Sequence, residues 1–138
     1  MKTIVDTCVW SLALRRQDPS KLTAVDLQII AQLQEAIREG RVIIIGPIRQ
    51  EILSGIRNKA RFAKIQALLD PFRDEEIAAE DFVDAARFFN FCCDHGVECG
   101  TIDILICAVA ARAQYDILTN DKGLKRCIQL LRTQGLMA

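Results

Sequence analysis

The chain has 138 residues, of which 51% are apolar and 26% charged, and its formal net charge is zero. This composition is typical of a globular protein, excludes a disordered chain and argues against a general nucleic-acid coat. The length fits one domain with a sizeable core, so we expect a single domain over residues 1–138. The longest apolar runs, at residues 42–45 and 104–111, are too short to span a membrane, and no signal peptide is visible. We therefore expect a cytoplasmic protein.

The charged residues are distributed unevenly along the chain. Residues 38–65 contain seven Lys or Arg against two acids, and residues 70–103 contain ten acids against two arginines. Residues 112–132 are again basic, with five basic groups against two acids. Basic segments beside an acidic pocket are compatible with an RNA substrate, and equally with solvated helix faces.

Six cysteines are present, and none of them forms a CxxC pair. Because nothing suggests secretion, we do not expect a disulfide framework. Cys8, Cys107 and Cys127 lie among apolar neighbours and are expected to pack as small hydrophobic residues. Cys93 and Cys99 form a loose cluster with His95, but this spacing fits no common zinc pattern.

The first third of the chain alternates between strand and helix signals. A short apolar run predicts a strand at residues 2–5, followed by a helix at 7–14 and a loop at 17–20. Thr23 and Asp26 have the spacing of a capping pair, which predicts the start of a longer helix. Apolar residues then recur at helical spacing; they are Ile29, Ile30, Leu33 and Ile37.

The middle of the chain begins with a β-branched run at residues 42–45, which predicts a strand covered on both faces. Pro47 fits the beginning of the next helix, and residues 54–55 fit its end. Residues 59–69 predict a further amphipathic helix, and residues 77–79 predict a short strand or an extended linker. The inward positions predicted for the 59–69 helix are Phe62, Ile65, Leu68 and Leu69.

The last third begins with a helix that is apolar on two adjacent faces, a pattern that indicates a partner surface. One face comprises Phe82, Ala85, Ala86, Phe89 and Cys93, and the other comprises Phe88, Phe91 and Cys92. Thr101 is a predicted N-cap for a helix through Ala113. A strand at 115–118 and a helix at 121–131 complete the alternation, which predicts an α/β fold with a mostly parallel sheet.

Four acidic residues, each in a distinct local setting, carry the functional signal: Asp6, Glu51, Asp103 and Asp121. Three of the four fall where a strand ends or a helix begins, and open α/β sheets place their ligand crevice at the carboxyl ends of strands. Clustered carboxylates repel one another unless a cation neutralises them. Mg²⁺ prefers oxygen ligands, so the pattern predicts an acidic metal pocket suited to phosphodiester cleavage.

Each acid also has an ordinary structural explanation. Asp6 and Asp121 could cap the helices that follow them, and Asp103 could interact with a helix dipole. Glu51 could pair with Arg49 or Arg57 at the surface. These alternatives stay open when the residues are considered one at a time.

The ordered set of segments around these acids resembles the PIN-domain proteins, and among them the VapC-type toxin ribonucleases. The segments read IVDTCVW at residues 4–10, IRQEIL at 48–53, TIDILICA at 101–108 and LTNDK at 118–122. The resemblance implies a PIN-like parallel sheet flanked by helices, an endoribonuclease that depends on Mg²⁺ or Mn²⁺, and an antitoxin partner. Two departures are the Lys122-Gly123-Leu124 sequence, where relatives often carry an acid and an aromatic, and a weak or missing closing strand.

The expected roles follow from Mg²⁺ chemistry. Asp6, Asp103 and Asp121 would hold the ion, directly or through water, and Glu51 would help bind it or accept a proton from the attacking water. Thr7, Thr101 and Thr119 offer hydroxyl groups beside three of the acids.

Further expectations concern partners and competing functions. Excess apolar surface on the helices that carry Trp10 and residues 82–93 predicts a homodimer, although Trp10 could also be a core residue. Five basic residues flank Glu51 in the sequence, and some of them are predicted to contact RNA phosphates at the rim of the pocket, or else only to solvate a helix face. They are Arg49, Arg57, Lys59, Arg61 and Lys64, and the pair Arg57 and Lys59 is chosen for a test. The competing functions are a non-catalytic PIN-like binding or assembly module and a phosphoacceptor receiver domain, which would need adjacent acids near its start.

Overall fold

The computed structural model describes residues 1–14 and 18–138, and within them four strands form one parallel sheet. The strands are β1 (Thr3–Val5), β2 (Val42–Ile44), β3 (Arg73–Asp74) and β4 (Asp116–Leu118), in the spatial order β3-β2-β1-β4. The predicted α/β class with a parallel sheet is confirmed. Gln17, part of the predicted loop, lies outside the described residues, and a 3₁₀ helix covers Pro19–Lys21.

Seven α-helices flank the sheet in the described part of the chain. They are α1 (Thr7–Leu14), α2 (Ala24–Arg38), α3 (Gly46–Leu53), α4 (Lys59–Leu69), α5 (Ala79–Asp94), α6 (Thr101–Ala113) and α7 (Lys122–Thr133). Among the residues described, none of these helices combines the length and the apolar character that crossing a membrane requires.

The strand β1 lies at the centre of the sheet, with Ile4 opposite Ile43 of β2 and Ile117 of β4. Both Ile4 and Ile43 are fully buried, as a strand covered on both faces requires. The chain leaves β1 towards β2 and β3 and later returns to the other side of β1 to form β4. This change of direction opens a crevice beside the carboxyl ends of β1 and β4, where open α/β sheets bind their ligands.

Local signals fixed several helix boundaries. The predicted capping pair of α2 is confirmed, because Thr23 Oγ1 accepts from the Asp26 amide at 3.0 Å and the Asp26 carboxylate accepts from the Thr23 amide at 3.1 Å.

In α4, Ile65 and Leu69 are buried as predicted. Phe62 and Leu68 were wrongly predicted to face inward, because α4 buries only one narrow stripe.

The sequence did not predict the edge strand β3. Arg73 and Asp74 pair with Ile43 and Ile44 of β2, although both charged side chains are exposed. A two-residue edge strand without apolar alternation gives no periodic signal. Ile77 and Ala78 form the extended linker that was one of the two alternatives for that segment.

A buried ion pair joins the start of α5 to the end of α6. Arg112 donates to both oxygens of Asp81, at 2.7 and 3.0 Å, and to the carbonyl of Glu76 at 3.2 Å. Asp81 is fully buried and also accepts from the Ala78 amide at 2.8 Å. Burial raises the pKa of Asp81, but its hydrogen bonds and the Arg112 charge outweigh this effect and hold the pKa below its usual value.

The two apolar faces of α5 have different surroundings. Ala85, Phe88 and Cys92 face the core, whereas Phe82 is 56% exposed and Phe89 is 39% exposed. Trp10 is only 2% exposed and packs edge-on against Phe72, with ring centroids 5.1 Å apart. The core alternative for Trp10 is therefore right, and its expected contribution to a partner surface is wrong.

The cysteines depart most from expectation. Cys99 and Cys127 form a disulfide, so Cys127 is not a free packing residue. Cys107 is buried as expected, whereas Cys8 is exposed. Cys93 is exposed, because the helical pitch of α5 turns the neighbouring Cys92 towards the core instead. The loose grouping of Cys93, Cys99 and His95, which was not expected to bind zinc, therefore does not reflect which cysteine of α5 faces inward.

Candidate metal centre

Asp6 follows β1 directly and is only 5% exposed. Its Oδ1 accepts from the Thr7 amide at 2.8 Å, and its Oδ2 accepts from the Thr119 hydroxyl at 2.8 Å and the Cys8 thiol at 3.3 Å. The strand end thus places a carboxylate in the crevice, and three donors compensate its loss of water. The Thr7 amide belongs to the first residue of α1, whereas an N-cap carboxylate accepts from the second or third helical amide, so this contact is not the cap that the ordinary explanation of Asp6 required.

Thr7 connects Asp6 to Glu51. Its hydroxyl donates to Glu51 Oε1 at 2.7 Å, and Glu51 is exposed on α3. Arg49 does not pair with Glu51; it donates to Asp74 at 2.9 Å. One ordinary explanation of Glu51, a surface pair with Arg49, is therefore wrong.

Thr119 connects Asp6 to Asp121 in the same way. The Thr119 hydroxyl donates to Asp6 and accepts from the Asp121 amide at 3.0 Å. Asp121 is the N-cap of α7, and its Oδ2 accepts from the Leu124 amide at 2.7 Å. The capping explanation of Asp121 is right, and it is compatible with a role in the acidic cluster because a carboxylate has several lone pairs.

Asp103 lies in the first turn of α6 and is half-buried. Burial raises its pKa to about 6, and the negative charges of Asp6, Asp121 and Glu51 add to this effect. The other three predicted acids are therefore close enough to Asp103 for their negative charges to oppose its ionisation.

Two glycines make room for these carboxylates. A Cβ atom at Gly100 would lie 3.2 Å from Asp103 Oδ2, and one at Gly123 would lie 3.1 Å from Asp121 Oδ2. Gly100 is also the N-cap of α6, so the predicted N-cap Thr101 is wrong; Thr101 is the first residue of the helix. A single sequence does not show that either glycine matters for the site. Each one contributes by having no Cβ atom, which leaves space for a neighbouring carboxylate.

Cys8 was also missed as a neighbour of the site. Its sulfur lies 3.3 Å from Asp6 Oδ2 and 3.6 Å from Thr119 Oγ1, and it accepts from the Asn120 amide at 3.5 Å. Burial raises the pKa of the Cys8 thiol, and the Asp6 charge adds to this effect. Its position two residues after Asp6 could have indicated that it lies near the site. The apolar neighbours Val9 and Trp10 suggested instead that Cys8 packs in the core.

The donor set fits a hard divalent cation. The four side chains offer carboxylate oxygens, which Mg²⁺ and Mn²⁺ prefer, and a cation would relieve their repulsion. Within residues 1–14 and 18–138, no three of these carboxylates bring ligand oxygens within 4.8 Å of one another.

A cleft extends from the acidic cluster along α4. Its first part has a volume of about 360 Å³ and is lined by Glu51, Ser11, Gly55 and Arg61, among others. A second part of about 510 Å³ shares Arg61 with the first and adds Lys64. The cleft therefore has an acidic end at Glu51 and a basic wall on α4.

Comparison with known families and structures agrees with this architecture. The family model described as the PIN domain matches residues 3–128. The crystal structure of FitAcB from Neisseria gonorrhoeae is similar to the chain with a TM-score of 0.68 and 19% identity, and the match covers 92% of this chain and 93% of that one. No curated protein sequence matches the chain.

A second solved structure, VapBC2 from Rickettsia felis bound to a DNA fragment from their promoter, has a TM-score of 0.71 and 17% identity. The match covers 91% of this chain and 92% of that one. At these identities the two structures support the fold.

Replacing Asp103 by Asn should stabilise the metal-free protein at neutral pH. The folded pKa of about 6 lies above the unfolded value of 3.8, so protonated Asp103 favours the folded state. This stability is present below the unfolded pKa and is lost as pH rises through the folded pKa. Allowing for solvent screening, we expect Asp103→Asn to gain about 1–2 kcal/mol at pH 7.

Urea unfolding with a chelator present, measured from about pH 4 to pH 7, checks this expectation. The wild type should lose stability across the interval relative to Asp103→Asn. Asp94→Asn, at the exposed end of α5, is the matched control and should keep the wild-type pH dependence. Parallel pH profiles for the wild type and Asp103→Asn would contradict the electrostatic account.

Proposed function

The chain belongs to the PIN domain family, and from this membership and the acidic cluster we propose that it is a divalent-metal-dependent endoribonuclease, the toxin of a toxin–antitoxin pair. The observation that carries the proposal is the raised pKa of Asp103, which three other carboxylates from separate elements help to produce. Strongly perturbed acids in a cleft are typical of catalytic sites. We propose that residues 1–138 act as one domain in the cytoplasm, where RNA is available.

The roles of the residues follow from their positions. Asp6, Asp103 and Asp121 would hold the ion, Mg²⁺ or Mn²⁺, and Glu51 would help to bind it. When bound, the ion lowers the pKa of a water molecule and neutralises charge on the phosphate. Glu51 is exposed and accepts a hydrogen bond from Thr7, so its carboxylate is oriented and available to accept the proton of the attacking water.

A non-catalytic binding or assembly module is the alternative. Such a module has no need for four mutually repelling carboxylates, whose clustering destabilises the protein without a cation. The receiver-domain alternative lacks the adjacent acids that it requires near the start of the chain, where Asp6 stands alone. The acidic cluster therefore favours the nuclease.

The cleft along α4 supplies a path for the RNA. Arg61 and Lys64 line it and can contact phosphates, which positions RNA without reading its sequence. All four residues belong to the basic set proposed from the sequence; Arg57 and Lys59 do not line the cleft, and their contact with RNA stays a prediction. Arg49 is held by Asp74 and belongs to the fold rather than to the RNA path.

The proposed partners are an antitoxin and a second copy of the chain. The antitoxin is proposed from the resemblance to VapC-type toxins, and the structural similarity to FitAcB and VapBC2 supports it. For the homodimer, Phe82 and Phe89 border an apolar cleft of about 340 Å³, which Ile104 and Leu105 of α6 also line. Large exposed aromatic residues beside an apolar cleft are typical of protein interfaces.

Asp6→Asn, Asp103→Asn and Asp121→Asn should each lower RNA cleavage on the order of 100-fold or more, because each removes a charged ligand. A structured RNA should be cleaved by the wild type with Mg²⁺ or Mn²⁺ and left intact with a chelator. Asp94→Asn should retain full activity, and circular dichroism should show that all variants are folded. Wild-type cleavage by all three active-site variants would exclude the metal-site proposal.

The double variant Arg61→Gln/Lys64→Gln should bind RNA more weakly and with a shallower salt dependence. Two lost phosphate contacts should reduce the slope of log affinity against log salt by about 1.4 for single-stranded RNA. Filter binding with a chelator present measures this without cleavage, and calorimetry should show unchanged Mn²⁺ affinity.

The matched control is Lys2→Gln/Arg38→Gln, which removes two charges near the amino ends of β1 and β2, opposite the crevice. Arg57→Gln/Lys59→Gln tests the residues chosen from the sequence. If Arg61→Gln/Lys64→Gln leaves the slope unchanged, this cleft is not the RNA path.

Phe82→Glu should convert a homodimer into a monomer, because it places a charge in the centre of the proposed apolar interface. Sedimentation velocity at several concentrations measures the change. Phe62→Glu, at an exposed phenylalanine on α4, is the matched control and should leave the dimer intact. A wild type that remains monomeric at the highest concentration would contradict the expectation.

A further inference from the structure

Three cysteine sulfurs meet where α5, α7 and the segment before α6 converge. Cys92 on α5 is a free thiol, and its Sγ lies within 4.8 Å of the sulfurs of Cys99 and Cys127, which form the disulfide. Cys92 and Cys127 are fully buried, and Cys99 is 9% exposed. A thiol close to both sulfurs of a disulfide is positioned to exchange with it.

The disulfide joins the two elements that carry two of the metal-site acids. Cys99 immediately precedes Gly100, the N-cap of α6, and Asp103 lies in the first turn of that helix. Cys127 belongs to α7, whose N-cap is Asp121. The bond therefore links the segment before α6 covalently to α7, and opening it removes this link between the parts of the chain that carry Asp103 and Asp121.

We propose that Cys92, Cys99 and Cys127 form a thiol–disulfide exchange centre that couples the redox state of the protein to the relative positions of Asp103 and Asp121. The coupling to metal binding rests on the function proposed above. In a reducing compartment a disulfide is typically transient and redox-sensing rather than a permanent cross-link. The third thiol distinguishes this centre from an isolated structural disulfide.

The exchange chemistry needs no cofactor. A cellular dithiol reductant gives two electrons and two protons to the Cys99–Cys127 bond, which yields two thiols and converts the reductant to its disulfide. Alternatively, the Cys92 thiolate attacks one sulfur of the bond, forms a new disulfide with it and leaves the other as a thiolate, which takes the proton that Cys92 released. Burial raises the pKa of the Cys92 thiol, as does neighbouring Cys93, so the thiol stays protonated until the cluster opens.

Disulfide mapping tests the exchange centre directly. After reduction and reoxidation with oxidised glutathione, mass spectrometry of peptides should find Cys99–Cys127 in the wild type. Cys99→Ser should form Cys92–Cys127, and Cys127→Ser should form Cys92–Cys99, with two molecules of glutathione released for each bond. Cys93→Ser, at the adjacent exposed cysteine, is the matched control and should keep Cys99–Cys127.

Three results would overturn the exchange centre. The first is that Cys92 forms no disulfide in Cys99→Ser or in Cys127→Ser. The second is that Cys93 forms the new disulfide in preference to Cys92. The third is that the purified protein contains one metal ion bound to the three cysteines in place of the disulfide. If a single variant does not fold, trapping the wild-type mixed disulfides by acid during reduction decides the question, since only exchange produces Cys92-containing disulfides.

Mn²⁺ titration of the oxidised and reduced wild type tests the coupling to the acidic cluster. The reduced protein should bind Mn²⁺ more weakly by about fivefold or more, which is the lower end of typical coupling between sites. Cys99→Ser/Cys127→Ser should bind Mn²⁺ like the reduced protein whether or not a reductant is present. Equal Mn²⁺ affinities in the two redox states would overturn the coupling. If neither state binds Mn²⁺, the proposed metal site is rejected. The disulfide mapping described above would still decide whether the exchange centre exists.

Discussion

Repulsion among four carboxylates must be balanced by the parts of the chain that carry them. Asp103 responds to this repulsion: burial raises its pKa to about 6, and three like charges add to the effect. The chain restrains Asp6 and Asp121 through Thr119, whose hydroxyl contacts both residues, and restrains Asp6 and Glu51 through Thr7. Thr7 and Thr119 thus restrain three of the acids by hydrogen bonds. These hydrogen bonds are present without a cation, so the acids would not need to be repositioned when a cation binds.

The sheet makes this arrangement possible. Because β1 is buried on both faces between β2 and β4, its end cannot move to relieve the charge on Asp6. The ion pair of Asp81 and Arg112 joins α5 to the far end of α6, and removing Arg112 would leave the buried Asp81 carboxylate without its charged partner. The first turn of α6 therefore carries Asp103, whose ionisation is opposed by like charges, and the last turn carries Arg112, which forms an ion pair with Asp81.

The sequence was sufficient where a signal was local or periodic. It predicted the parallel sheet, the capping pair of Thr23 and Asp26, and the four acids that the structure brings together. It could not predict β3, which is too short for a period, or the space left by Gly100. The disulfide was missed because two cysteines 28 residues apart meet only through the packing of α7 on the segment before α6. Spacing along the chain carries no information about such a contact.

The two bonds that hold α6 differ in how they respond to the surroundings. The Asp81–Arg112 pair keeps its charges at any pH near neutrality, because the pKa of Asp81 is lowered and that of Arg112 is raised. Whether the Cys99–Cys127 bond is present depends instead on the reduction potential of the surroundings. The Asp81–Arg112 pair thus restrains the remote end of α6 in either redox state, whereas the restraint beside Asp103 is the one that the proposed exchange would change. Because residues 104–110 of α6 are buried, we expect that change to be confined to the segment around Gly100 and the first turn of the helix, where Asp103 lies.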